Sequence, residues 1–234
     1  MASLIKKVQY LKLFRSIFTT IWFNFHYLPF RQAIKLPILL YKPHIIASKG
    51  TIAIKGNIRP FMIKLGIPQV YIYPNTGVMF ENWGGQIVFD GSCKVGNASA
   101  ISIGEKGRLH IGDDFRATCS LKLACYHQME IGRDVLVGWD CLIADSDFHV
   151  LTKIDGCTTR GYAPVQIGNN VWMAMKCTVL KGSIVPNNTV LSACTLYSTK
   201  TQFCEYSVIS STAEPFVKIE GIYRNIDNDN ITYK

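Results

Sequence analysis

With 234 residues and 48% apolar side chains, the chain has material for one or two globular domains and falls outside the disordered and collagen-like classes. Its eight cysteines contain no C-x-x-C pair and are spread along a long chain, which argues against a zinc ribbon or a secreted disulfide scaffold and for a reducing, cytoplasmic compartment. The net charge of +9 is uneven: residues 1–80 carry eleven Lys or Arg and no acid, while the remaining 154 residues carry fourteen basic and sixteen acidic side chains.

The first predicted element is residues 1–80, a basic aromatic segment read as helical or irregular. Its longest uncharged run, Ser16 to Phe30, has 15 residues and contains Pro29. That is short of the roughly 20 apolar residues a membrane-spanning helix needs. No small-residue cleavage site follows it, so it does not read as a signal peptide. Two roles fit: a cap packed on the rest of the protein, or a basic amphipathic contact with an anionic membrane surface through residues 1–50. Nucleic acid is not expected as a partner, because no recognised binding motif accompanies the charge.

Next come weak six-residue repeats, Val95-Gly96, Ile103-Gly104 and Ile111-Gly112, set apart by two-residue insertions. They tighten at Ile131-Gly132, Val137-Gly138 and Ile143-Ala144. The rhythm then breaks over "DSDFHVLTKIDGCTTRGYAP", where counting by sixes puts His149, Asp155 and Gly161 in aliphatic slots. An external loop over about residues 149–166 follows from that mismatch. From Ile167 the period is strict: Ile167, Met173, Val179, Val185 and Leu191, each followed four residues later by a small or β-branched side chain, Val171, Cys177, Ser183, Thr189 and Thr195. Six matches neither a helix nor a simple strand. It fits a short strand plus a turn, three of which close one triangular coil, with coils stacking so that aliphatic side chains form a column.

The stretch "IGNNVWMAMKCTVLKGSIVPNNTVLSACTLYSTK" resembles the hexapeptide-repeat acyltransferases over about residues 85–220, and "DSDFH…RGYAPVQIGNNVW" is most similar to the bacterial polysaccharide and sugar O-acetyltransferases. The resemblance implies a mainly β protein, a left-handed parallel β-helix over residues 81–212, preceded by the N-terminal segment and followed by a short helical tail over 213–234. It also implies a homotrimer with active sites between subunits, acetyl-CoA as donor and a sugar or polysaccharide precursor as acceptor, with no metal. His149 falls at the position of the family's catalytic base. A sugar hydroxyl is a poor nucleophile at neutral pH, and imidazole is the side chain suited to take its proton. Asp147 or Asp145 is expected to fix the imidazole tautomer, with a backbone carbonyl as the alternative.

Trp172, Arg160, Tyr162 and His127 are the expected acceptor contacts, and Ala174, Met175, Ala193, Ser198, Lys200 and Lys218 the expected donor groove. Two departures stand out. Ala174-Met175 replaces a position that is usually Gly, followed by a bulky residue, and near the C-terminus Pro215 is kept while the basic residue moves to Lys218. Acylation of an amino sugar nucleotide and a non-catalytic sugar-binding scaffold are the competing readings. A zinc enzyme on this fold needs three clustered histidines, which the sequence lacks.

Overall fold

The computed structural model describes residues 16–198, 200, 203–211 and 222–223. The protein is mainly β. Its strands form three parallel sheets of eight, seven and six members, and a two-stranded antiparallel pair joins Thr152–Lys153 to Ile222–Tyr223. The first sheet runs from Ile38–Leu40 to Val208–Ile209, the second from Pro43–Ser48 to Leu196–Tyr197, and the third from Thr51–Ile54 to Ile184–Val185. Successive strands visit the three sheets in turn, so each rung contributes one strand to each sheet and three connections: first to second, second to third, and third back to first.

Side chains explain the stacking. The strict six-residue slots Ile167, Met173, Val179, Val185 and Leu191 are all buried, as is Tyr197 in the next slot. Burial of each such side chain is worth about 1.5–3 kcal/mol. The intervening small slots Val171, Cys177, Ser183, Thr189 and Thr195 are equally buried. Their hydroxyls are satisfied locally: Ser183 Oγ donates to the Leu180 carbonyl at 2.6 Å and Thr195 Oγ1 to that of Ser192 at 2.7 Å.

In the first and third connections a non-glycine residue repeatedly takes the left-handed backbone conformation. The third carries Asp114, Asp134, Asn170 and Asn188, with φ between 53° and 58°. Asp and Asn visit that region more readily than other residues bearing a Cβ. The first connection does so at Ala98, Ser120, Asp140, Lys176 and Cys194. Rungs also approach closely at the third connection. A Cβ on Gly132 would lie 2.7 Å from the Gly168 backbone, so glycine there is a packing requirement.

The N-terminal segment departs from expectation. Parallel strands begin at Ile38 rather than near residue 81, and Ile38 pairs with Ile63, which pairs in turn with Cys93. These offsets of 25 and 30 residues hide the six-residue rhythm, whereas Trp172, Val190 and Val208 pair at offsets of 18. Among the described residues of that segment, α1, over residues 16–27, and α2 (Phe30–Ala33) are helical. One face of α1 carries a polar stripe, Ser16, Thr20 and Asn24, four residues apart. Asn24 Oδ1 accepts from the Ile38 N–H at 3.0 Å while its Nδ2 donates to the Ile38 carbonyl at 2.7 Å. Thr20 Oγ1 accepts from Leu40 N–H at 3.0 Å, and Ser16 Oγ from Lys42 N–H at 3.1 Å. The stripe thus satisfies the outer backbone groups of the terminal strand. Beside it, the rings of Phe23 and Tyr27 pack on Phe80 with centroids 5.1 and 6.2 Å away. In the expected helical tail, Ile222–Tyr223 is a strand, and the rest of 213–234 lies outside the described residues.

Candidate active site

The break in the sequence rhythm is an outward hairpin inserted in the second connection, between the strands Leu142–Ala144 and Val165–Ile167. Its legs are tied by backbone hydrogen bonds from Asp147 N–H to the Gly161 carbonyl at 2.8 Å, Thr159 N–H to the Leu151 carbonyl at 2.7 Å and Lys153 N–H to the Cys157 carbonyl at 2.8 Å. The chain reverses at Gly156, whose φ of +83° favours glycine. Its root therefore begins at Asp145, slightly before the expected start of the loop.

At that root the structure gathers Tyr126, His127, Asp145, Phe148, Arg160 and Tyr162. Asp145 is fully buried, and its two carboxylate oxygens accept the backbone N–H groups of Tyr126 and His127, each at 2.8 Å. Burial pushes its carboxyl above the ordinary range, against the two amides that favour the ionised form. Asp145 thereby fastens the hairpin to the preceding rung. The Phe148 ring meets Tyr126 edge-on at 4.8 Å, the His127 ring lies 4.7 Å from Tyr162, and the Arg160 guanidinium stands 4.4 Å over the other ring of that pair, Tyr162.

His149 follows Phe148, whose φ of 60° turns the chain, and is exposed at the root of the outgoing leg. Asp147 is exposed too, and its carboxylate forms an ion pair with Lys181 at 3.1 Å. Of the two acids expected beside His149, one accepts backbone amides and the other pairs with a lysine. Sequence reasoning missed Lys181 and Tyr126. Pairing Ile143 with Val179 puts Lys181 in register with Asp145, so counting along the rungs would have found it. Tyr126 extends the site along the stack toward earlier rungs: its hydroxyl lies 3.0 Å from Ser102 Oγ, which donates to Glu81 at 2.5 Å.

The expected donor residues divide between two ends of the second sheet. Ala174, Met175 and Ala193 lie in the first connection, which leads into that sheet, and Met175 is 44% exposed. Trp172, 50% exposed, precedes them on the first sheet. His149 lies beyond the opposite end, as do Ser198 and Lys200, which follow the strand Leu196–Tyr197. One chain therefore does not bring Met175 and His149 together. Lys218 lies outside the described residues.

A separate groove of about 880 Å³ runs along the third sheet to the third connection, lined by His110, Glu130, Arg133, Gln166 and Asn169. There His110 Nε2 lies 2.7 Å from Asp90, which also pairs with Lys55 at 3.3 Å. Among the described residues no group of three or more His, Cys, Asp or Glu is placed to hold a metal ion. No protein-family profile, curated protein or solved structure matches the chain.

Proposed function

We propose that the chain is a left-handed parallel β-helix that transfers an acetyl group from acetyl-CoA to a sugar hydroxyl of a surface polysaccharide or its precursor, in the cytoplasm. The observation that carries this reading is the outward hairpin that interrupts the regular rungs, with His149 exposed at a root that a buried carboxylate and an aromatic layer fasten to the preceding rung.

In this reaction His149 takes the hydroxyl proton as the sugar oxygen attacks the thioester carbon. A carbon–oxygen bond forms, the carbon–sulfur bond breaks, and the proton passes to the departing thiolate. Arg160 and Tyr162, stacked on the returning leg, offer a cation and an aromatic face to the acceptor. Ala174, Met175 and Ala193 line the path of the donor, and Trp172 beside them offers its ring to the acceptor. Since those residues and His149 stand at opposite ends of the second sheet, a site that uses both is built from two copies of the chain. This supports a homotrimer in which each neighbouring pair shares one site.

Thiol release from acetyl-CoA with a panel of sugar acceptors tests the reading. Acceptor-dependent release by the wild type, lowered about 10²- to 10⁴-fold in His149→Ala, is the expected result. A wild type that binds no acetyl-CoA overturns it in favour of a scaffold, and full activity in His149→Ala removes the histidine from the chemistry. Co-expression of His149→Ala with Ala174→Trp should restore activity that neither variant shows alone, because mixed assemblies contain intact sites.

A further inference from the structure

Helix α1 buries one face against the strands and presents large apolar side chains on the other. Phe23, Thr20 and Asn24 are buried against the strands, while on the far side Ile17, Phe18, Ile21, Trp22 and Phe25 are 39–59% exposed. The patch continues onto α2, where Phe30 is 71% and Ile34 55% exposed, and the rings of Phe25 and Phe30 stand 6.0 Å apart. A helix face of large apolar side chains is normally covered by protein or lipid. Seven large apolar side chains in one area also exceed the scattered exposure usual on a soluble surface.

Charge identifies the cover. Arg31 and Lys35 alternate with Phe30 and Ile34 and are exposed. Lys6, Lys7, Lys12 and Arg15 precede the helix in sequence, and no acidic residue occurs before Glu81. Aromatic and aliphatic side chains bordered by cations, with acids excluded, match the boundary between acyl chains and anionic headgroups. No helix among the described residues is long and apolar enough to cross a membrane.

We propose that the outer face of α1 and α2 docks the protein on the surface of an anionic lipid bilayer, with α1 lying in the plane of the interface. The helix is held by its polar stripe to the terminal strand, so the stack of rungs stands away from the lipid and the hairpin faces water. The inference is independent of the reaction proposed above, since it rests on no residue of the candidate site.

The test is flotation of the full-length protein with extruded vesicles of phosphatidylcholine alone and of phosphatidylcholine mixed with phosphatidylglycerol. Binding to the mixed vesicles is expected to fall at least about tenfold in Trp22→Glu/Phe25→Glu, which removes apolar contact. A similar fall, together with loss of salt sensitivity, is expected in Arg31→Glu/Lys35→Glu. Both pairs are exposed, and unchanged circular dichroism and melting temperature confirm that the variants are folded. Failure of the wild type to float with either vesicle overturns the proposal. So does binding that ignores phosphatidylglycerol. A Trp22→Glu/Phe25→Glu variant that becomes a smaller oligomer while still floating assigns the face to a second copy of the chain, and likewise overturns it.

Discussion

The second and third connections perform the same topological task with opposite chemistry. At the third, over the last four rungs, one residue takes the left-handed conformation each time, Asp or Asn supplies it, and neighbouring rungs touch backbone to backbone. Nothing there can vary much without disturbing the next rung. At the second, the connection opens between Ala144 and Val165 into a hairpin, where a Cβ on Gly156 would find no atom of the described residues within 4 Å. Repetition consumes a residue's freedom, and where it lapses at the hairpin, side chains are at liberty to face a substrate.

The largest expected effect sharpens that contrast. His149→Ala should slow acetyl transfer about 10²- to 10⁴-fold while moving stability by no more than about 0.5 kcal/mol, as exposed substitutions do; thiol-release kinetics and a denaturant titration read the two quantities. Asp145→Ala should join the two regions. It leaves the amides of Tyr126 and His127 without their acceptor, at about 1–3 kcal/mol per orphaned group, and it loosens the hairpin root, so stability and activity should fall together. If activity survives intact, the root does not position the chemistry.

Gly132→Ala probes the third connection alone. Its methyl would meet the Gly168 backbone at 2.7 Å, and overpacking of this kind costs about 1–3 kcal/mol. The denaturation midpoint should drop while turnover by the folded fraction stays constant. Gly156→Ala, at the hairpin tip, has room for its methyl but the wrong φ, a penalty of about 1 kcal/mol, read as increased proteolysis of the hairpin with little change in global melting.

The smallest effect lies at the first connection. The Tyr73 hydroxyl donates to the corner carboxylate Asp140 at 2.5 Å, and this hydrogen bond raises the phenol from about 10 to about 12. A raised phenol stabilises the fold fully below its unfolded pKa, and that contribution is lost as pH rises through about 12. Tyr73→Phe should therefore lack this part of the alkaline decline, as thermal melts between these pH values would reveal.

How much of this was legible in the sequence depended on spacing. From Ile167 the six-residue period placed every inward side chain, because the pairing offset there is a constant 18. Before Cys93 the same ladder was unreadable, since connections of varying length stretch the offset to 25 and 30 and leave no period to detect. In the hairpin, the break itself was visible and so was His149. The partners of the two acids were not. Asp145 is held by amides of a rung eighteen or nineteen positions earlier, and Asp147 by a lysine 34 positions later. Such contacts come from three-dimensional register rather than local pattern.

The polar stripe of α1 also gives the molecule a direction. A terminal parallel strand is a template on which a strand from another copy can lay down. Ser16, Thr20 and Asn24 occupy that template at the Ile38–Leu40 end. Three short polar side chains therefore cover the outer edge of this strand against pairing with another copy. A chain in which they are replaced by alanine would elongate end to end from this side, turning a finite particle into a filament with one growing tip, visible as a rise in light scattering with time.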